Sequence, residues 1–217
     1  MQFICSRSNN MIERLTIKKG FELFLILLVL FYSDVYLHAQ NQLDEKFTED
    51  VSKWYDMIYQ VPKGYYGIEI ESCYSANEYL QSAFHHSIKC EKHDVIAAFA
   101  LISNKPDNSP RGVRIREVFG DPYKINRVVI ANEADATLSE VKYLDTLQLK
   151  KINADRGVIY NLRILYKYKG IYAKCKKITI YKDNVGRSEI LFFYNKGDDA
   201  VVDEEIKKTW GMLKFKA

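Results

Sequence analysis

The first strong signal along the chain is an unbroken apolar run over residues 23–32. Arg7, Arg14, Lys18 and Lys19 precede it, and the chain returns to mixed polarity at Ser33 and Asp34. A basic stretch, a short apolar core and a small-residue exit are the parts of a secretory signal. The run has ten residues, whereas a membrane-crossing helix needs about 20 apolar ones. Lengthening it would draw Asp34 into the lipid, at a high cost for a charged group. The pattern predicts a signal peptide over residues 1–40, a single domain over 41–217, and no stable membrane span after processing. The other readings of the run are an uncleaved signal anchor and a buried core helix, and Met1 and Met11 both qualify as the start.

Beyond the signal, Leu43, Phe47, Val51, Trp54, Tyr55 and Ile58 recur at steps of four and three. That is one stripe of an amphipathic helix, which Pro62 and Gly64 then close. Residues 57–61 also read as a strand, so the helix boundary stays open. Ser75-Ala76-Asn77-Glu78 has the capping-box spacing and predicts a short helix ending near His85 or His86. The period then turns extended. Residues 87–91, a polar turn at Lys92-His93-Asp94, and residues 95–103 predict a hairpin. Residues 104–112 hold two prolines and a glycine and read as a loop, and residues 127–131 read as a strand. Thr137-Leu138-Ser139-Glu140 repeats the capping-box spacing ahead of Val141, Leu144 and Leu147, predicting a further helix.

The last third holds three β-rich runs, residues 157–168, 171–182 and 188–195, separated by Gly170 and by Asp183-Asn184-Val185-Gly186. They predict consecutive antiparallel strands. Pairing Lys182 with Arg187 sets Ile178 opposite Leu191, so that Leu191 and Phe193 share a face with Ile178 and Ile180. Ile190, Phe192 and Tyr194 occupy the other face, so both faces need cover. Val202, Ile206, Trp210 and Leu213 recur at helical spacing and predict a closing helix. Asp198, Asp199, Asp203, Glu204 and Glu205 gather at its start, where carboxylates suit the helix dipole. The fold class expected is α+β: a mostly antiparallel sheet with helices packed on it, sandwich-like, in one domain.

Three segments together resemble PsbP-like proteins: Tyr59-Gln60-Val61-Pro62-Lys63-Gly64-Tyr65, Gly186-Arg187-Ser188-Glu189-Ile190-Leu191-Phe192, and the closing helix running into Leu213-Lys214-Phe215. The resemblance implies a central antiparallel sheet between helices, in a protein that binds proteins or small ligands without catalysing a reaction. It carries over no binding residue. The Ala39-Gln40 end of the signal resembles signal peptides of Bacteroidetes, in which cleavage after the alanine leaves an N-terminal glutamine.

Composition narrows the function classes. At 47% apolar and 28% charged residues the chain is a folding sequence, which excludes disorder and collagen-like repeats. A net charge of +4 makes no general case for nucleic acid, and export argues against it. Charge placement says more. Residues 150–187 hold eleven basic against two acidic side chains. Arg163, Lys167 and Lys169 share strand parity, and Lys174 and Lys176 follow them in the same block. This basic strip predicts a surface for an acidic protein or an anionic component of the cell envelope. The competing explanation is that the lysines are the solvated face and edge protection of strands.

Chemistry-bearing residues are few. His85, His86, Cys90 and His93 supply ligands that zinc or copper prefers. They support the alternative reading, a metal-binding protein or a hydrolase-type enzyme, although their spacing matches no specific site pattern. A nucleophilic cysteine would be Cys175, or Cys90 beside His93. The chain has no G-x-S-x-G, H-E-x-x-H, phosphate-cradling glycine loop or C-x-x-C. The acidic group at residues 198–205 lacks the alternating order of a calcium loop. No cofactor is called for. Cys73 and Cys90 are the most local disulfide pair of an exported chain. The expectation is an exported protein, periplasmic or secreted, that binds rather than catalyses.

Overall fold

The computed structural model describes residues 24, 26, 28, 42–69, 84–103, 130, 134, 141–162 and 172–217. The chain divides into two units, Met1–Gln42 and Leu43–Ala217. In the first, Phe24, Ile26 and Leu28 are helical and exposed. Among the described residues no helix is long and apolar enough to cross a membrane. The architecture that follows is that of the second unit.

Residues 43–54 form helix α1, whose Phe47 and Val51 are buried as the stripe predicts. The helix stops short of the expected end. Asp56 takes a left-handed φ of 52°, and the chain extends into strand β1, Met57–Tyr59. The side-chain period there drops from 3.6 to 2, so Met57 and Tyr59 point inward. Trp54 and Ile58, expected on the buried stripe, are 55% and 44% exposed.

Seven strands follow: β2 Tyr65–Gly67, β3 His86–Cys90, β4 Ile96–Ser103, β5 Lys142–Tyr143, β6 Arg156–Leu162, β7 Lys174–Lys182 and β8 Gly186–Tyr194. They make an antiparallel sheet in the order β2-β3-β4-β8-β7-β6-β5. Helix α2 is Thr146–Ile152, helix α3 is Asp199–Thr209, and strand β9, Leu213–Phe215, pairs antiparallel with β1. The class is α+β, with helices packed on a mostly antiparallel sheet. Leu213 therefore sits in a strand, not in the last turn of the closing helix. Gly211, at φ 94°, turns the chain out of the helix in a conformation that a side chain would strain.

The β3–β4 hairpin forms as expected, but β3 begins at His86, where a helix end was predicted. The rest of that predicted helix, the 104–112 loop and the Thr137 capping box lie outside the described residues; of the 127–131 strand only Ile130 is described, and it is helical, its carbonyl accepting the Ala134 N–H at 2.8 Å. Helix α2 uses a different cap. The Asp145 side chain accepts the Gln148 N–H at 2.8 Å, and the Gln148 side chain accepts the Asp145 N–H at 2.9 Å. Leu147, expected on the buried face, is 79% exposed.

The β7–β8 turn corrects the register by one residue. Lys182 pairs with Gly186, not Arg187, and Ile178 with Ile190, not Leu191. The loop is three residues long because Asn184 adopts φ 63° and Val185 N–H donates to the Lys182 carbonyl at 3.1 Å. A one-residue slip exchanges the faces of a strand. Ile190, Phe192 and Tyr194 thus join Ile178, Ile180, Phe99, Val202, Ile206 and Leu213 in the main core. Leu191 and Phe193 pack on the opposite face with Cys175, Val158, Tyr160 and Leu162. Both faces are buried, and truncating Phe192 to alanine is expected to cost about 3–5 kcal/mol.

Candidate functional site

On the main-core face, β7 directs Lys174 and Lys176 toward α3. Lys174 Nζ lies 2.6 and 2.9 Å from the two carboxylate oxygens of Asp199, and the Tyr194 hydroxyl donates to the same carboxylate at 3.0 Å. Lys176 Nζ pairs with Asp203. The hydrogen bond from Lys174 holds the Asp199 carboxyl below its usual range. The acids at the start of α3 therefore do more than suit a dipole. Asp198, the N-cap residue, makes no side-chain cap bond, while Asp199 and Asp203 answer the lysines of the neighbouring strand. Two of the five residues of the predicted basic strip are placed in this way. Arg163, Lys167 and Lys169 lie outside the described residues.

The opposite face holds a charged group that sequence reasoning missed. Lys177 Nζ is 2.9 Å from Glu189 Oε2 with both side chains 4% exposed, and Arg187 approaches Glu189 Oε1 at 3.6 Å. Burial acts to raise the Glu189 carboxyl, but Lys177 and Arg187 outweigh it and hold the group below its usual range. Burial also raises the neighbouring Tyr181 phenol. The only sequence signal was opposite charge at Lys177 and Glu189, which the register sets diagonally, two residues apart on one face.

Strand β3 separates the proposed metal ligands. His86 and Cys90 stand at its two ends, four residues and about 13 Å apart along an extended chain, too far to share one ion. His86 Nε2 is 2.7 Å from Asp44 Oδ1, and its ring stacks on Phe47 with centroids 4.5 Å apart. His85 accepts the Leu101 N–H at Nδ1, 3.2 Å away, and its Nε2 lies 3.0 Å from the Tyr55 hydroxyl. His93 Nε2 sits 3.7 Å from Glu205 Oε1. Among the described residues no three His, Cys, Asp or Glu side chains converge as a metal site. Glu205 is buried and accepts from the Tyr65 hydroxyl at 2.9 Å and from Lys208 Nζ at 2.7 Å. Burial works to raise its carboxyl, and these donors hold it low. Cys90 is a free, buried thiol, and Cys175 is buried. Cys90 pairs with Tyr65 in the β2–β3 ladder and points into the core, in place of the bridge expected with Cys73, which lies outside the described residues.

A further feature of the main-core face is a small apolar recess of about 20 Å³, room for about one water molecule. Its floor is Ile178, Ile180, Ile190 and Phe192 of the sheet, and α3 with the turn at Trp210 and Gly211 closes it. Comparison of the chain with protein-family models, curated proteins and solved structures finds no match.

Proposed function

We propose that the protein is an exported, non-catalytic binding domain, periplasmic or secreted, whose partner is an acidic protein or an anionic component of the cell envelope. One observation carries the reading: residues 150–187 hold eleven basic against two acidic side chains, of which Lys174 and Lys176 are taken up by aspartates of α3. Arg163, Lys167 and Lys169 continue the same charge block and offer the same chemistry to carboxylates of another molecule. The resemblance to PsbP-like proteins, most of which bind rather than catalyse, supports the same role.

The test is a pull-down from the native envelope followed by a binding titration of the captured partner. Reversing Arg163, Lys167 and Lys169 together to glutamate should weaken binding at least about tenfold at low salt, with the circular dichroism unchanged. Wild-type binding should weaken as added salt shortens the Debye length to about 3 Å near 1 M. A partner whose affinity ignores both changes refutes the basic strip as the binding face.

A further inference from the structure

We propose that the outer side of the layer made by α2, β9 and β1 rests on an anionic phospholipid surface, with Leu147 and Ile58 among the upper parts of the acyl chains and Lys150, Lys151 and Lys214 at the phosphates. The three elements form one layer because each puts its inner side on the main core: Leu149 and Ile152 from α2, Leu213 and Phe215 from β9, Met57 and Tyr59 from β1. Lateral contacts join them. The Asn153 side chain that ends α2 donates to the Phe215 carbonyl at 3.4 Å, Trp210 Nε1 donates to the Gln148 carbonyl at 3.3 Å, and β9 pairs with β1. Alternation along the strands turns Ile58 and Lys214 outward as direct cross-strand partners. On α2, Leu147, Lys150 and Lys151 stand at i, i+3 and i+4, on the side away from Leu149.

The charge of this layer has one sign. Leu147 is 79% and Ile58 44% exposed, the three lysines are exposed, and none of the three elements contains an Asp or Glu. The flanking acids are half-buried or engaged: Asp56 is half-buried, Asp145 caps α2, and Asp155 accepts the Asp183 N–H at 2.7 Å. A lone exposed apolar side chain is ordinary on a protein surface. Here two of them stand among amines. A protein partner would have to supply a pocket for each protruding apolar tip, whereas the boundary between head groups and acyl chains admits them anywhere. Lysine stems lie along the same boundary while their amines stay with the phosphates, and each amine near an anionic leaflet adds attraction. None of these residues belongs to the basic strip.

The test is co-sedimentation of protein recovered from the envelope or the medium with phosphatidylcholine vesicles, with and without phosphatidylglycerol. The protein should bind the anionic vesicles and not the neutral ones. Lys150→Gln, Lys151→Gln and Lys214→Gln together should weaken binding at least about tenfold at low salt, since each lysine near an anionic surface contributes about a fivefold factor. Leu147→Ser should weaken it at least about threefold with unchanged circular dichroism. Ile58→Ser should act alike; if that variant does not fold, Leu147→Ser decides. Arg163→Gln, Lys167→Gln and Lys169→Gln, the matched neutralisation of the basic strip, should weaken vesicle binding less than the lysines of the layer do. No binding to anionic vesicles, equal binding to neutral ones, or an equal loss in the strip variant each overturns the proposal. An unchanged affinity in Leu147→Ser overturns it as well, because the face would then attract anions in general, an acidic protein among them. The basic strip keeps its own test, the titration of a captured partner, so either reading can fail alone.

Discussion

Glu189 stands opposite Thr179 in the β7–β8 ladder, and from the sequence it is one more alternating residue of a strand. Its energetic weight comes from being buried with Lys177 and Arg187, since removing one partner of a buried pair strands the other charge. Glu189→Gln should therefore destabilise the domain by about 3–5 kcal/mol in urea titrations. The double variant Lys177→Met, Glu189→Leu should recover most of the loss, because an apolar pair of similar volume needs no compensation. The same carboxylate sets a pH response, together with Asp94, Asp199 and Glu205, all held below their ordinary values. A depressed folded-state pKa gives stability that is present above the unfolded value and lost as pH falls through the folded one. The urea midpoint should thus hold down to about pH 4.5, then decline with further acid. The Glu189→Gln variant should decline less steeply; an equal slope would assign the acid response to the other carboxylates. None of this was readable in advance, because burial of a strand position depends on what covers each face.

Elements were easier to read than their ends. The β3–β4 hairpin and the β6–β7–β8 meander follow from β-branched and aromatic runs between turn residues, and the strands lie within the described parts of those runs. The turn chemistry decided the rest. With Asn184 in the left-handed region the β7–β8 loop needs three residues, and that one-residue difference moved Ile190, Phe192 and Tyr194 from the outer face to the main core. Helix α2 gives a parallel case. Its capping box is Asp145 with Gln148, beyond the Thr137 spacing read from the sequence. Asp145→Ala should cost about 1 kcal/mol by thermal or urea unfolding. Gly157→Ala should also destabilise, because a Cβ there meets the Leu144 side chain and lies 3.2 Å from the Thr179 carbonyl oxygen. A neutral result at Gly157 would show that Leu144 can repack.

At the scale of the whole molecule, the charge asymmetry of the sequence is partly an internal account: acids of α3 meet lysines of β7, and Glu189 meets Lys177. Export remains the expectation with the widest consequence. Protein recovered from the envelope or the medium should lack residues 1–39 or 1–40 by intact mass, whereas a membrane fraction retaining residues 23–32 would reverse it. The sequence by itself determined the α+β class, the antiparallel strand order of the last third and the apolar positions available for burial. These depend on local periodicity and turn residues, which act between near neighbours. Only the tertiary structure decided which face of β8 enters the main core, that His86 and Cys90 stand apart, and that Leu213 leaves the closing helix to pair with Tyr59. Each of those depends on a backbone angle or a partner remote in sequence, and hydrophobic pattern specifies neither.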